Sequence, residues 1–357
     1  MTELNRIFDA WPILRDKGPD AWAAFARMLL DKGKGAEAFT LALAAHDHPD
    51  CSNRDRRIAN GVLNAGVPKW HWNLVQDTAR NAAYEAALAR VVGPDSLVLD
   101  IGAGTGLLGL LALRAGAGRV VACEMNPSTA RMAADIARIN GVADRLRIIP
   151  RKSNDLVLGT DLERPADAIV SEIVDNTLLA QETLATHRDA VPRLLRPGGH
   201  VIPGDGAIMV ALGHDPTLAT RRMGIHEGFD LSAFNRLAPP SHSLIVGTPG
   251  LRLLSQPVAL FDFAFDQPES WPGLHSDVEV TVETEGTANA IIQWIRLVLD
   301  RSGAEGSVYE VKPAPGRTSC WAVVSWPLAS PLALAPGGTR RIAARRTDSN
   351  IMIWLAY

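Results

Sequence analysis

A cluster of glycines between a short apolar run and a helix-like segment holds the residues best placed to bind a ligand. The stretch from Ser96 to Gly109 reads Ser-Leu-Val-Leu-Asp-Ile-Gly-Ala-Gly-Thr-Gly-Leu-Leu-Gly. Its apolar start, 97–99, is typical of a parallel strand covered on both faces, and Asp100 ends that run. The glycines let the backbone approach a ligand, and the helix predicted over 107–114 directs its amide-rich N-terminus at the same place. The pattern predicts a ligand site at the carboxyl edge of an open α/β sheet.

Two cofactors fit a glycine turn of this kind. Gly104, Gly106 and Gly109 match the dinucleotide pattern Gly-x-Gly-x-x-Gly, but the turn already begins two residues earlier, at Gly102. The register agrees better with Asp-x-Gly-x-Gly-x-Gly, the cofactor loop of S-adenosylmethionine (SAM) methyltransferases. A second apolar strand ends in Glu124, whose carboxylate can accept both hydroxyls of a ribose. Both cofactors carry a ribose, so Glu124 does not distinguish them. The glycine register and the later motifs favour SAM over a nicotinamide or flavin nucleotide. They also favour a ligand site over a turn that binds nothing.

The composition is that of a globular protein. The chain has 357 residues, which is long for one core and predicts two domains plus an appendage. The formal net charge of -3 gives no electrostatic reason to expect a nucleic-acid partner. The N-terminus has no basic segment followed by an apolar core, and no apolar run approaches membrane-spanning length, so we expect no membrane partner and a cytoplasmic location. The three scattered cysteines have no metal-ligand spacing, which predicts no metal site and fits a reducing compartment.

Hydrophobic periodicity divides the chain into three predicted regions. Residues 1–62 carry apolar side chains at helical spacing and predict a helical cap, with a single helix pair of tetratricopeptide type as the alternative. Residues 63–203 alternate strands with helices, which predicts a doubly wound α/β sheet of Rossmann-like type. Residues 204–357 show short strands separated by Gly, Pro and Asp, which predicts a closed or sandwiched antiparallel domain. The arginine-rich run 340–346 has no interleaved aromatic residues, so an exposed strand face is favoured there over a nucleic-acid patch.

A helix-like segment with two tryptophans, 67–84, precedes the cofactor strand and can fold over the cofactor. Arg80 within it would supply a cation for the carboxylate in the methionine part of SAM. On spacing alone, Arg80 would instead be a solvated helix residue and the tryptophans would belong to the core. Further along, Ser153, Asn154 and Asp155 follow the third predicted strand and are placed to meet the adenine.

Short motifs follow one another from about residue 66 to the C-terminus. They are Trp70-His-Trp72, Asp77-x-x-Arg80-Asn81, Val98-Leu-Asp-Ile-Gly-Ala-Gly-Thr-Gly106, Glu124, Ser171-Glu172-x-x-Asp175, Gly199-x-x-Ile202-Pro203, Gly228-Phe-Asp-Leu-Ser232, Gln256-Pro-Val-Ala-Leu-Phe-Asp-Phe-Ala-Phe265, Gln293-Trp294 and Ser319-Cys320-Trp321. In this order they resemble the protein arginine N-methyltransferase family. The combination of Ser-Glu-x-x-Asp with Cys-Trp, where most members have Thr-His-Trp, resembles the symmetric-dimethylating branch with helical repeats at its N-terminus.

The resemblance implies a SAM-binding Rossmann-like sheet followed by an antiparallel β-barrel. It implies a transferase that methylates the guanidinium of arginine in proteins or peptides. A helical arm near residues 219–246 would contact a second subunit, so a homodimer is implied. The residues that the resemblance places at the cofactor are Trp72, Arg80, Asp100, Gly102, Gly104, Gly106, Glu124, Met125, Ser153, Asn154, Asp155 and Glu172.

Two glutamates nine residues apart hold the arginine in this family, and Glu172 matches the first of them. The second position falls on Gln181, with Glu182 beside it. A glutamine accepts hydrogen bonds but cannot neutralise a guanidinium. Three explanations stay open: a one-residue shift brings Glu182 inward, Asp175 supplies the second carboxylate, or the acceptor is not an ordinary peptidyl arginine.

Cys320 and Trp321 stand where the family closes the acceptor pocket. A side chain smaller than histidine at Cys320 would leave room for a methyl group on the distal nitrogen, which suits symmetric dimethylation. The alternative for Cys320 is an ordinary small buried residue at the start of a strand. Two other functions stay open as well: a methyltransferase of free arginine or another small amine, which Gln181 suggests, and a catalytically weak SAM-binding protein that uses its helical cap for partners.

Overall fold

The N-terminal part of the chain is a group of helices with its own core. The computed structural model describes residues 3–179 and 182–356. The first four helices are α1 (Glu3–Ala10), α2 (Pro19–Asp31), α3 (Gly35–Asp47) and α4 (Asn53–Leu63). In α3 the buried residues are Ala38, Leu41, Ala42 and Ala45, whose spacing places them on one helix face. Helices are confirmed here, and the role of the cap stays a prediction.

A doubly wound parallel sheet follows, as predicted. Its elements are α5 (Trp70–Gln76), α6 (Thr78–Val91), β1 (Leu97–Ile101), α7 (Leu107–Arg114), β2 (Arg119–Cys123), α8 (Pro127–Ile139), β3 (Leu146–Ile149), β4 (Ala166–Ser171), α9 (Thr183–Leu194) and β5 (Leu195–Ile202). The strand order is β3-β2-β1-β4-β5, and all neighbouring strands are parallel. Because connections leave β1 and β4 in opposite directions, a crevice opens at the carboxyl ends of these two strands.

The helix-like segment 67–84 consists of two helices rather than one. α5 and α6 meet at Asp77, whose side chain accepts a hydrogen bond from the Arg80 amide at 2.9 Å. A carboxylate in this position caps the first turn of α6 and stops α5 from continuing through it. The break directs α5 across the sheet edge, while α6 runs along the sheet with Tyr84 and Leu88 buried against it.

The rest of the chain is an antiparallel domain. Its elements are β6 (Asp205–His214), α10 (Leu218–Arg221), β7 (Ile225–His226), β8 (Phe229–Asp230), β9 (His242–Leu244), β10 (Arg252–Leu253), β11 (Val258–Ala264), β12 (His275–Thr281), β13 (Gly286–Val298), β14 (Val308–Glu310), β15 (Val323–Leu334), β16 (Thr339–Arg346) and β17 (Ile351–Ala356). Seven strands form one sheet around β6, β13 and β15, and β12, β16 and β17 form another. The antiparallel domain is confirmed, and its closure into a barrel stays a prediction.

One apolar core runs from the parallel sheet into the antiparallel domain. Val98 of β1, Leu212 of β6 and Trp294 of β13 belong to the same cluster of buried side chains. Leu178, in the loop after β4, is fully buried in that cluster. The loop that follows Glu172 is therefore held by packing against both sheets.

The strand predicted to begin at Cys320 begins only at Val323. The Cys320 amide donates to the Asp77 carboxylate at 2.9 Å, and the Ala322 amide donates to Asn176 Oδ1 at 2.8 Å. Both amides are thus directed at the cofactor domain instead of a neighbouring strand. Cys320 lies in a loop, so its placement at a strand start was wrong.

No helix within residues 3–179 and 182–356 is both long enough and apolar enough to cross a membrane. The arginine-rich run forms most of β16, where Arg341 and Arg345 are exposed and Arg341 pairs with Asp277.

Candidate cofactor and acceptor site

A cavity of about 420 Å³ lies at the carboxyl edge of the parallel sheet, beneath α5. Seven predicted site residues line it: Arg80, Gly102, Gly104, Glu124, Met125, Glu172 and Glu182. A smaller cavity of about 60 Å³ shares part of this wall and is lined by Ser153 and Asn154. Asp155 is exposed and does not line either cavity. Trp72 is 62% exposed and faces a different cavity, between α4, α5 and α8. The parts that these residues play stay predictions.

The glycine turn needs its glycines for two reasons. Gly102, Gly104 and Gly106 all have positive φ, at 72°, 55° and 78°. A Cβ on Gly102 would also lie 2.4 Å from the Ile173 side chain. Any larger residue there is strained and collides, so the backbone can come close to a ligand only with glycine in this place.

Two buried carboxyl groups flank the turn. Asp100 is fully buried, and its Oδ2 accepts the Gly109 amide at 3.0 Å, while its Oδ1 has no hydrogen-bond partner in the described part of the chain. Burial raises the pKa of Asp100 to about 7, although the hydrogen bond from the Gly109 amide and the positive charge of Arg80 both lower it. Glu124 accepts the Gly104 amide at 3.0 Å and the Asn126 amide at 2.8 Å. Each Glu124 oxygen is thereby oriented and keeps a lone pair for a ligand hydroxyl.

Arg80 is a buried cation on the first turn of α6. Its Nη2 lies 3.2 Å from Glu172 Oε2, and its Nη1 donates to Asn81 Oδ1 at 2.8 Å. The guanidinium carbon lies 4.9 Å from the centre of the Tyr84 ring. Its Nε has no hydrogen-bond partner among residues 3–179 and 182–356. A buried donor of this kind is costly unless a ligand satisfies it.

Glu172 follows β4 and is 8% exposed. Burial raises the pKa of its carboxyl to about 8, although Arg80 opposes the rise. The backbone is held on both sides of it: the Tyr84 hydroxyl donates to the Ser171 carbonyl at 3.1 Å, and the Thr183 hydroxyl donates to the Ile173 carbonyl at 2.5 Å. The position of this carboxylate is therefore set by three elements of the fold.

Asp77 joins this site to the antiparallel domain. Its Oδ2 accepts the Tyr309 hydroxyl at 2.6 Å and the Cys320 amide at 2.9 Å. Burial alone would raise the pKa of Asp77, but these hydrogen bonds and the one from Arg80 outweigh it and hold that pKa below its usual value. Burial, together with Asp77 and Glu172, raises the pKa of the Cys320 thiol, so the thiol stays neutral.

The question of a second acceptor carboxylate centres on three residues. Gln181 lies outside the described residues. Glu182 is exposed at the mouth of the cavity and pairs with Lys152 Nζ at 3.0 Å. Asp175 caps its own turn, accepting the Thr177 amide at 2.9 Å and hydroxyl at 2.7 Å, and does not line the cavity. Trp321 is buried, 7% exposed, and packs edge-on to Tyr309. The assignment of an acceptor role to each of them stays a prediction.

Several residues at the site had no predicted role. His71 lines the cavity of about 420 Å³, and burial lowers its pKa although the negative charge of Glu124 raises it. His71 lies in the Trp70-His-Trp72 motif and Asp77 in the Asp77-x-x-Arg80-Asn81 motif, so the sequence pointed to both positions. Tyr309 gave none, because 232 residues separate it from Asp77 and only folding brings the two together. In the described part of the chain, no group of three or more His, Cys, Asp or Glu residues could hold a metal ion.

Comparison with known proteins places this site in a family. The ribosomal protein L11 methyltransferase (PrmA) family matches residues 85–204. An arginine N(omega)-methyltransferase from Streptomyces achromogenes subsp. streptozoticus is 31% identical over 308 residues, which cover 85% of this chain and 83% of that protein. The chain belongs to the arginine N-methyltransferase family. Protein arginine N-methyltransferase 7 from Oryza sativa subsp. indica is 32% identical over 258 residues, 65% of this chain, and the match spans only 35% of that longer protein.

Solved structures of other arginine methyltransferases share the fold. The chain matches the Trypanosoma brucei PRMT1 enzyme-prozyme heterotetrameric complex with AdoHcy at 22% identity and a TM-score of 0.68, over 79% of this chain and 89% of that one. It matches Arabidopsis thaliana protein arginine methyltransferase 10 at 16% identity and a TM-score of 0.63, over 77% and 86%. The predicted combination of a Rossmann-like sheet with an antiparallel domain is confirmed.

SAM is the cofactor of this methyltransferase family, and the residues present fit it. The unpartnered Nε of Arg80 is a buried donor suited to a carboxylate. Glu124 is oriented by two amides at the end of β2, where a ribose is bound in sheets of this type. Gly102 and Gly104 line the cavity with backbone that carries no Cβ, so a ligand can approach the turn closely. The prediction of SAM is confirmed in preference to a nicotinamide or flavin nucleotide.

We expect Arg80→Met to weaken SAM binding by about 10- to 100-fold, because a charge-assisted hydrogen bond contributes about 1.5–3 kcal/mol. Calorimetric titration of the protein with SAM measures the change. Arg138→Met, at the exposed end of α8, is the matched control and should bind SAM like the wild type. Equal affinity of the wild type and Arg80→Met would remove Arg80 from the cofactor site.

Proposed function

We propose that this protein transfers methyl groups from SAM to the guanidinium of arginine in a protein or peptide. The observation that carries the proposal is the buried carboxylate of Glu172, which borders the cofactor cavity and already binds a guanidinium, that of Arg80, at 3.2 Å. A site that holds one guanidinium beside the cofactor has the chemistry to hold another. Family membership supports the same reaction.

Arginine is a poor nucleophile because its guanidinium is protonated and delocalised. Bound SAM supplies a methyl group on a sulfonium, which makes that methyl electrophilic. Glu172 orients the acceptor and draws the positive charge toward the nitrogens that it contacts, leaving the remaining one more nucleophilic. Arg80 holds Glu172 in place from the cofactor side, and the Asp77 bond to Cys320 places the opposite wall. The chain's contribution is alignment and charge, the effects that dominate displacement reactions of this type.

Peptidyl arginine is the acceptor that we propose, and free arginine is the second candidate. The Streptomyces relative, whose match covers most of both chains, is named for arginine alone, whereas several other relatives are named for protein arginine. The replacement of the second family glutamate by Gln181 bears on the same question, since it removes one charge from the acceptor loop. One assay with both acceptors separates the two candidates.

Incubation with methyl-labelled SAM and either arginine-rich peptides or free arginine, followed by acid hydrolysis and chromatography, should place the label in methylarginine. We expect Glu172→Gln to lower kcat/KM by at least about a hundredfold with SAM affinity retained, because the acceptor loses its orienting charge. Glu163→Gln is the matched control, since Glu163 is exposed and pairs with Arg119 at 2.7 Å at the far end of the sheet.

Label in peptide methylarginine supports the proposal, and label only in free methylarginine favours the second candidate. Tight SAM binding without transfer to either acceptor contradicts both and leaves a SAM-binding protein of another kind. Restored transfer in Gln181→Glu would then identify an enzyme that lost activity at that position.

The pH dependence of the reaction follows from Glu172. Its carboxyl must be ionised to hold a guanidinium, and burial raises its pKa to about 8. We therefore expect kcat/KM to increase about tenfold per pH unit below pH 8 and to level off above it, since kcat/KM reports groups of the free enzyme. Initial rates between pH 6 and pH 9 test this. Asp100→Asn removes a second carboxyl at this site whose pKa is raised and should keep the slope. A flat wild-type profile below pH 8 would contradict the assignment to Glu172.

We infer that the protein forms a homodimer through residues 219–246. Five large apolar side chains of this arm are at least 61% exposed: Ile225, Phe229, Phe234, Leu237 and Ile245. So much apolar surface in one segment is typical of an interface. An apolar cavity of about 570 Å³ between α4, α5 and α8, lined by residues such as Phe39, Leu63 and Trp72, offers a surface of matching chemistry on the partner subunit.

The double variant Phe229→Ser with Phe234→Ser should be a monomer at concentrations where the wild type is a dimer, because it removes two aromatic anchors. Light scattering after size-exclusion chromatography measures the mass. Leu274→Ser, which changes a half-exposed apolar residue outside the arm, should leave the wild-type mass unchanged. A wild type that is monomeric at micromolar concentration would exclude the dimer.

A further inference from the structure

Asn176 occupies the junction between the loop after Glu172 and the antiparallel domain. Its side-chain Oδ1 accepts the Ala322 amide at 2.8 Å. Its main-chain carbonyl accepts Gln293 Nε2 at 3.4 Å. One residue of the cofactor domain thus contacts two separate parts of the antiparallel domain, through its side chain and its backbone.

Gln293, one of the two partners of Asn176, is itself held in place by a further hydrogen bond. Gln293 is fully buried on β13, and its Oε1 accepts the Trp326 indole N–H of β15 at 2.8 Å. Asn176 is therefore anchored to two paired strands whose own positions are set by the core. Asn176 and Ala322 are half-buried, and a hydrogen bond between half-buried groups is less weakened by water than one at the surface. The bond from Ala322 thereby ties the segment before β15 to the loop after Glu172.

That segment carries Cys320 and Trp321. The Cys320 amide is held from the other side by Asp77 at 2.9 Å. Asp77 and Asn176, both in the cofactor domain, hold the main chain at either end of the Cys320-Trp321 pair. Glu172 lies four residues before Asn176 in the same loop. The separation between Glu172 and the Cys320 wall is thus set through Asn176.

We propose that Asn176 is a positioning residue that sets the width of the acceptor pocket and so decides how readily an already methylated arginine is accepted. The inference rests on the proposed arginine methylation. A methyl group on the acceptor needs extra room between Glu172 and Cys320, and a misplacement of about 1 Å can change a rate by about a hundredfold. Asn176 acts through Glu172 and Cys320 and touches neither the cofactor nor the acceptor.

Three variants test this. Asn176→Leu keeps the side-chain shape and removes the acceptor oxygen, Asn176→Asp keeps an acceptor oxygen, and Asn140→Leu changes an exposed asparagine about 20 Å along α8 from the cofactor end. Mass spectrometry measures the ratio of dimethyl- to monomethylarginine. The KM values for the unmethylated and the monomethylated acceptor are measured as well. Their ratio tests the proposal even if the enzyme makes only one methylarginine product. Deuterium exchange follows the amides of residues 319–326.

We expect Asn176→Leu to shift the product ratio, or the ratio of the two KM values, by about tenfold and to speed exchange in the segment before β15, with SAM affinity unchanged. Asn176→Asp should return both readouts toward the wild type, and Asn140→Leu should match the wild type throughout. An unchanged ratio in Asn176→Leu, or a loss of SAM affinity in step with the rate, overturns the positioning role. A wild type that methylates no arginine overturns the proposed function instead.

Discussion

A buried ion pair between Arg80 and Glu172 connects the first turn of α6 to the residue that follows β4. Removing two charges from water costs several kcal/mol for each, and the attraction compensates only when further hydrogen bonds fix the geometry. The fold supplies them through Asn81 and through the Asp77 cap that sets the start of α6. Within residues 3–179 and 182–356, the Nε of Arg80 has no hydrogen-bond partner, which is why we propose it as the donor to the cofactor carboxylate.

The proposed acceptor site needs both domains. The parallel sheet provides the cofactor cavity and Glu172, but Cys320, which we propose as one wall of the acceptor site, belongs to the antiparallel domain. Asp77 and Asn176 join the two with hydrogen bonds of 2.6–2.9 Å to Tyr309, Cys320 and Ala322. One apolar core also runs from the parallel sheet into the antiparallel domain. Under the proposed function, this packing and these hydrogen bonds align the two walls on a guanidinium.

The cofactor half of the site was largely predictable. Gly102, Asp100 and Glu124 are neighbours in sequence or stand at the ends of adjacent strands, and parallel strands bring their carboxyl ends to one edge. Glu172 was predictable for the same reason. Trp72 was placed at the cofactor and lies outside that cavity, because the break at Asp77 determines which way α5 faces. Cys320 was expected on a strand, and the capture of its amide by Asp77 keeps it in a loop.

The sequence by itself determined the alternation of strands and helices, the glycine register and the identity of the cofactor, because these depend on local patterns and on short-range geometry. The tertiary structure alone decided that Tyr309 contacts Asp77, that Asn176 contacts Ala322, and that Arg80 is buried against Glu172. Those contacts join residues far apart in the chain through side-chain hydrogen bonds, and no periodicity in the sequence encodes such a bond. Burial, which only the folded chain defines, raises the pKa of Glu172.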